Sequence, residues 1–129
     1  MSVIGFPTSS DIFIEANGRK LAVVQSYKVA TTRSEQIIEA FGESEPIATI
    51  ASAVVYRIEL TRLYATDEAI RDGINFYQLQ NFSLVIVKPD KRVIYTGCQW
   101  SSIEERGELS RMVAERISVI SSNRVEMPN

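Results

Sequence analysis

The sequence predicts a mainly β domain of the α+β kind: an antiparallel β-sandwich or barrel with one flanking helix. Three observations carry that expectation. Apolar residues alternate with a period of two along several runs, as in Val54, Tyr56, Ile58 and Leu60 against Val55, Arg57, Glu59 and Thr61, the pattern of strands with one buried face. Asn17-Gly18 and Pro89-Asp90 interrupt alternating runs as turns. One stretch alone, Thr66–Asn81, has a helical period, so the strand–helix–strand alternation of a parallel sheet is missing.

In chain order, Met1–Ser10 contains Gly, Pro and Ser without a period and reads as an N-terminal arm. DIFIEANGRKLAVVQ then forms a hairpin, with Ile12 and Ile14 alternating against Asp11, Phe13 and Glu15. Its second strand runs over Leu21–Thr32. TTRSEQIIEAFGESEP (Thr31–Pro46) is ambiguous: Ile37, Ile38 and Phe41 have helical spacing, yet the flanks are β-prone, which favours strand. Ile47–Tyr64 is a long strand whose alternation changes phase at Arg62-Leu63, the mark of a bulge or an end.

TDEAIRDGINFYQLQN is the helix. Thr66 or Asp67 caps it, and Ile70, Ile74 and Tyr77 make its apolar face with Ala69 and Phe76 nearby. Gly73 weakens its middle by about 1 kcal/mol. FSLVIVKPDKRVIYTGCQWSSI is a second hairpin, with Phe82, Leu84 and Ile86 on one side and Ile94, Thr96, Cys98 and Trp100 together on the return strand. A charged loop, EERGELSRM, precedes a last strand over Met112–Ile120 and a polar tail. There is no repeat, and residues 1–129 read as one domain.

Composition removes whole classes of function. Lys and Arg total 14 against 16 Asp and Glu, a net charge of −2, and no basic run exists to hold a phosphate backbone. With no histidine and a single cysteine, Cys98, imidazole-based nucleophiles, imidazole ligands, thiolate zinc sites and intramolecular disulfides are excluded. The first residues lack a signal peptide's basic and apolar regions, and no apolar run approaches the roughly 20 residues of a membrane span; a soluble, cytoplasmically made protein with no membrane partner is expected.

The remaining candidates for chemistry each meet a plainer reading. Cys98, on a strand face with Thr96 and Trp100, has no histidine to activate it and reads as a small core residue; Trp100 reads as a core aromatic. Glu104, Glu105 and Glu108 beside Arg106-Gly107 read as a solvated turn. Glu35, Glu39, Glu43 and Glu45 offer oxygen ligands to a hard cation, but their spacing is not that of an EF-hand. No GxxxxGK or GxGxxG phosphate loop occurs. No catalytic, cofactor-binding or metal-binding residue is assigned, and a non-enzymatic protein is expected.

The order of the pieces resembles the tail-tube protein family of contractile-tailed phages and phage-like particles, whose relatives in fold include the haemolysin-coregulated protein of type VI secretion. The resemblance rests on the early hairpin DIFIEANGRKLAVVQSYKV, the TTRSEQIIEAFGESEP segment, the long strand VVYRIELTRLY, one helix, and paired strands ending in RISVISS, from Asp11 to Ser122. It implies hexameric rings that stack into a tube within a virion or phage-like particle. Tail sheath and baseplate would be further partners, and DNA or protein would pass through the lumen without specific binding. It also implies that residues 33–50 are an extended inter-subunit arm, with Arg33, Glu35, Ile37, Ile38 and Phe41 as interface residues. The N-terminal arm and the Glu104–Arg111 loop would serve ring-to-ring stacking. A tube-initiating or tube-capping ring of the same fold is an alternative. A small barrel of the oligonucleotide-binding type would need basic and aromatic residues on one strand face, and an enzyme would need two acids converging in a pocket.

Overall fold

The computed structural model describes residues 11–39, 48–107 and 112–128, with side chains placed except at 34–39 and 48–52. The described residues form seven strands: β1 (Ile12–Ala16), β2 (Arg19–Glu39), β3 (Ala48–Ala65), β4 (Phe82–Val87), β5 (Lys91–Glu104), β6 (Met112–Ser121) and β7 (Asn123–Pro128). All pair antiparallel in the order β4-β1-β2-β3-β6-β5-β7. β4 also pairs with β5. That ladder closes β1 to β6 into a barrel and leaves β7 outside the ring on β5. The expected antiparallel, mainly β fold with one flanking helix is therefore found.

Local chemistry sets the turns. Asn17 (φ 54°) and Gly18 (φ 76°) are both left-handed, the type I′ geometry that matches the twist of the strands it joins. The β4–β5 turn is closed by Lys88 N–H donating to Lys91 O at 2.8 Å. Inside the ring, Ile14, Val24, Leu60 and Leu84 are fully buried, with Phe82, Cys98 and Val119 beside them.

Strict alternation breaks at two left-handed residues, and each break redirects the face of a strand. At Arg62 (φ 57°), Leu60 and Leu63 are both buried, and the ladder to β6 shifts between Leu63 and Tyr64. The phase change expected at Arg62-Leu63 is thus real. The Arg62 guanidinium, carried outward, donates to Gln25 Oε1 at 3.2 Å and meets Glu115 at 3.5 Å. At Gly97 (φ 61°) the β4–β5 register shifts. Val93, Tyr95 and Cys98 are buried, while Ile94 and Thr96 belong to the other face. The expectation of one face for Ile94, Thr96, Cys98 and Trp100 is corrected: the bulge splits the set in two.

The helix is shorter than its sequence period suggests. α1 covers Asp67–Arg71, capped by Thr66, whose hydroxyl accepts from Ala69 N–H and lies 2.9 Å from Lys20 O. Gly73 (φ 66°) ends it instead of weakening its middle. Gly73 N–H donates to Ile70 O and Ile74 N–H to Ala69 O, the paired bonds of a Schellman motif. A 3-10 turn, Phe76–Gln78, follows. The predicted face holds only in part: Ala69 and Phe76 join the core and Ile74 packs against it, whereas Ile70 and Tyr77 are 50% and 46% exposed. Once the helix stops, spacing by 3.6 no longer decides which residues share a side.

Further differences come from ladders that sequence cannot register. Phe13 and Val85 are buried although their neighbours Ile14 and Leu84 point into the barrel, and both lie outside the core cluster. They are partners in a row of directly paired outward positions: Tyr64, Val23, Phe13, Val85, Ile94 and Val125. This apolar belt crosses the outer wall from β3 to β7. The polar tail is itself strand, because Asn123–Pro128 pairs with Lys91–Thr96 in the register that β6 had begun. Gly97→Ala should lower stability by about 1 kcal/mol, since the left-handed φ strains any side chain although the nearest atom, Asn81 Oδ1 at 3.7 Å, leaves room for a Cβ. A denaturant titration with unchanged slope and a lower midpoint is the expected readout.

Candidate assembly surface

Among the described residues, unpaired strand edges lie where the barrel's strands outrun their neighbours. β1 reaches β2 only at Arg19–Val23, and β6 reaches β3 only as far as Tyr56↔Ser121. Beyond those points β2 and β3 continue together, pairing through Arg33↔Val54, Glu35↔Ser52, Ile37↔Ile50 and Glu39↔Ala48. At about 3.3 Å per residue, Arg33–Glu39 projects roughly 20 Å as a two-stranded ribbon. Among the described residues neither lateral edge of this ribbon has a partner in the chain.

Four of the interface residues expected from sequence therefore lie on this ribbon. Arg33 is exposed, and Glu35, Ile37 and Ile38 occupy successive parts of β2. Strand rather than helix is the outcome over Arg33–Glu39, while residues 40–47, with Phe41, Glu43 and Glu45, lie outside the described residues. In the register Ile37 pairs with Ile50 and Ile38 with Thr49.

Among the described residues a second open edge belongs to β7. The sheet forks after Tyr56↔Ser121: β3 stays with β2, and β7 stays with β5. Ser121, only 1% exposed, pins the fork. Its hydroxyl lies 2.7 Å from Thr96 O and accepts from Asn123 N–H at 3.3 Å, bending the chain onto β5. Below it, Tyr56 meets Tyr95 edge to face at 5.3 Å, and Arg124 Nε donates to the Tyr95 hydroxyl at 3.3 Å. Glu126 accepts from Arg124 at 2.7 Å and from Lys91 at 3.2 Å, and these cations hold its carboxyl below the usual range. Sequence reading missed β7 because Asn, Arg, Glu and Pro dilute its pattern; the alternation of Val125 and Met127 was the available signal.

Pockets and titratable groups offer little chemistry. A cavity of about 560 Å³ lies between the helical connection and the start of β6, lined by Ala65, Ile70, Ile74, Phe76, Met112 and Val113. At its rim the Tyr77 hydroxyl donates to Glu105, which raises the pKa of this exposed tyrosine. A second hollow of about 390 Å³ on the outer wall holds Lys28, Arg57, Glu59, Ser102 and Ser118. Among the described residues no cluster of acids and cysteine is arranged to hold a metal. Glu104 and Glu59 instead meet Arg116, at 3.6 and 2.9 Å.

Cys98 is a core residue. Its thiol donates to Tyr95 O at 3.2 Å, and burial pushes its pKa up to about 11. The neutral thiol is the form the fold favours. Its contribution is complete below the ordinary thiol pKa and is lost as pH rises through about 11. At pH 8 a disulfide reagent should leave the native thiol untouched and titrate one thiol in denaturant; rapid native labelling would contradict the packing. Ser121→Ala should cost about 1–3 kcal/mol, since it strands buried partners, and should speed amide exchange over residues 123–128 more than over β6. Equal acceleration in both strands would show that Ser121 does not act as the pin.

No protein-family model and no curated protein matches this chain in sequence.

Proposed function

We propose that the chain is a non-enzymatic structural subunit that assembles with copies of itself into closed rings, which stack into a tube, in the manner of the tail-tube proteins it resembles. The observation that carries this reading is the ribbon Arg33–Glu39 with Ala48–Val54, which leaves a closed barrel with its edges unpaired among the described residues. Unpaired strand edges recruit other chains, and a repeated contact between two different surfaces closes into a ring when its rotation closes. The tube would carry DNA or protein through its lumen, with tail sheath and baseplate as further partners in a virion or phage-like particle. A ring that initiates or caps such a tube would use the same contacts.

A binding barrel for single-stranded nucleic acid is the rival. Against it, Arg19, Arg62, Arg116, Lys91 and Arg124 already meet carboxylates, and Tyr56 and Tyr95 pack against each other instead of offering stacking faces.

Mass in solution, with negative-stain microscopy across a concentration series, decides between the two. Rings or tubes with a central hole are expected. The triple variant Ile37→Ser, Ile38→Ser, Phe41→Ser should remain folded, with an unchanged thermal transition, and stay monomeric. A wild-type chain that is monomeric at high concentration and binds a single-stranded oligonucleotide would overturn the assembly reading. Unfolding of the triple variant would place the segment in the core.

A further inference from the structure

We propose that β7 is the docking edge for the β2–β3 ribbon of a second copy of this chain, the ribbon adding a strand to β7 and covering Val125 and Met127. The inference rests on the ring-assembly reading and names where the ribbon lands.

Backbone comes first. Among the described residues β7 pairs with β5 on one side only, and all of its residues are exposed. The fork at Tyr56↔Ser121 leaves its outer edge facing β3 of the same chain with no ladder joining them. Strand addition to such an edge draws its affinity from main-chain hydrogen bonds and its specificity from alternate side chains. β7 runs for six residues, roughly 20 Å, which equals the projection of the ribbon.

Side chains then give β7 a sticky face and a satisfied one. Arg124 and Glu126 bond each other, Tyr95 and Lys91, so the charges that would ordinarily guard an edge are spent inside the chain. Pro128 blunts only its end. On the other face Val125 and Met127 are 47% and 48% exposed, and Val125 terminates the apolar belt through its partner Ile94. A ribbon laid here extends a row that is already buried at Phe13 and Val85. Charge agrees as well. Residues 33–50 carry four glutamates against Arg33, and the exposed Arg92 is the ladder partner of Met127.

The contact joins two different surfaces, so complementation tests it. Val125→Asp with Met127→Asp should abolish assembly while leaving the thermal transition in place, and so should the Ile37, Ile38, Phe41 serine variant. Mixing the two supplies one intact ribbon and one intact β7, and heterodimers that grow no further are expected. A photo-crosslinking residue at position 125 in a mixture of ¹⁴N- and ¹⁵N-labelled chains should join residues 33–54 of a different copy. Assembly of the aspartate variant as in wild type, a mixture that stays monomeric, or crosslinks confined to one chain would each overturn the docking edge while ring assembly stands. A wild-type chain that never assembles would overturn both.

Discussion

Everything in this chain depends on β4, a strand of six residues that pairs with β1 on one side and β5 on the other. Without those two ladders β1 and β5 would both be edges of an open sheet. With them the sheet closes, and Ile14, Leu84, Val93 and Cys98 acquire an inside. Closure also has a geometric consequence. A ring can use only as much of each strand as its neighbours cover, and β1 covers five residues where β2 has 21. The surplus of β2 and β3 must leave the barrel. The projecting ribbon is thus the remainder of a closure whose strands differ in length.

Phase control is the second requirement. Strands that both line a barrel and continue past it must change which residues face in, and a perfect alternation cannot do so. Arg62 and Gly97 supply the change by left-handed backbone. The arginine tolerates it because its side chain finds Gln25 and Glu115 outside the wall, and the glycine because nothing opposes it. Gly97 lets Cys98 and Trp100 turn toward the core while Ile94 joins the outer belt. One bulge therefore serves two apolar clusters on opposite faces of the same strand.

Legibility in the sequence followed the range of the interactions involved. The Asn17-Gly18 turn, the Arg62-Leu63 break and the β-rich order of elements are local chemistry and were readable. The extent of α1 was not, because Gly73 reads equally as a weak interior residue and as a terminator, and only the bonds to Ile70 and Ala69 decide. β7 was hidden for a different reason. Its stability comes from β5, Tyr95 and Ser121, none of which neighbours it in sequence except the last. At the candidate surface, the β-prone flanks of TTRSEQIIEAFGESEP pointed to strand, and Arg33–Glu39 is strand, while Phe41 lies outside the described residues. The belt from Tyr64 to Val125 needed the register of five ladders before it existed at all.

An unpaired ribbon is a hazard as well as a device, and its charges bear on which contact wins. Two ribbons meeting each other would bring two copies of a segment that carries Glu35, Glu39, Glu43 and Glu45 against Arg33, a net charge of 1 − 4 = −3 on each. Like charges opposed across a new ladder disfavour that pairing, and the penalty fades only as salt screens it. A contact between two ribbons through the same edge of each would be isologous and would stop at a dimer. On the proposed ring assembly, repulsion between ribbons would disfavour that dead end and leave the heterologous contact, ribbon on a different surface, as the one that propagates. In such an assembly the acidic composition would do more than solvate the segment: it would bias which surfaces of two copies meet.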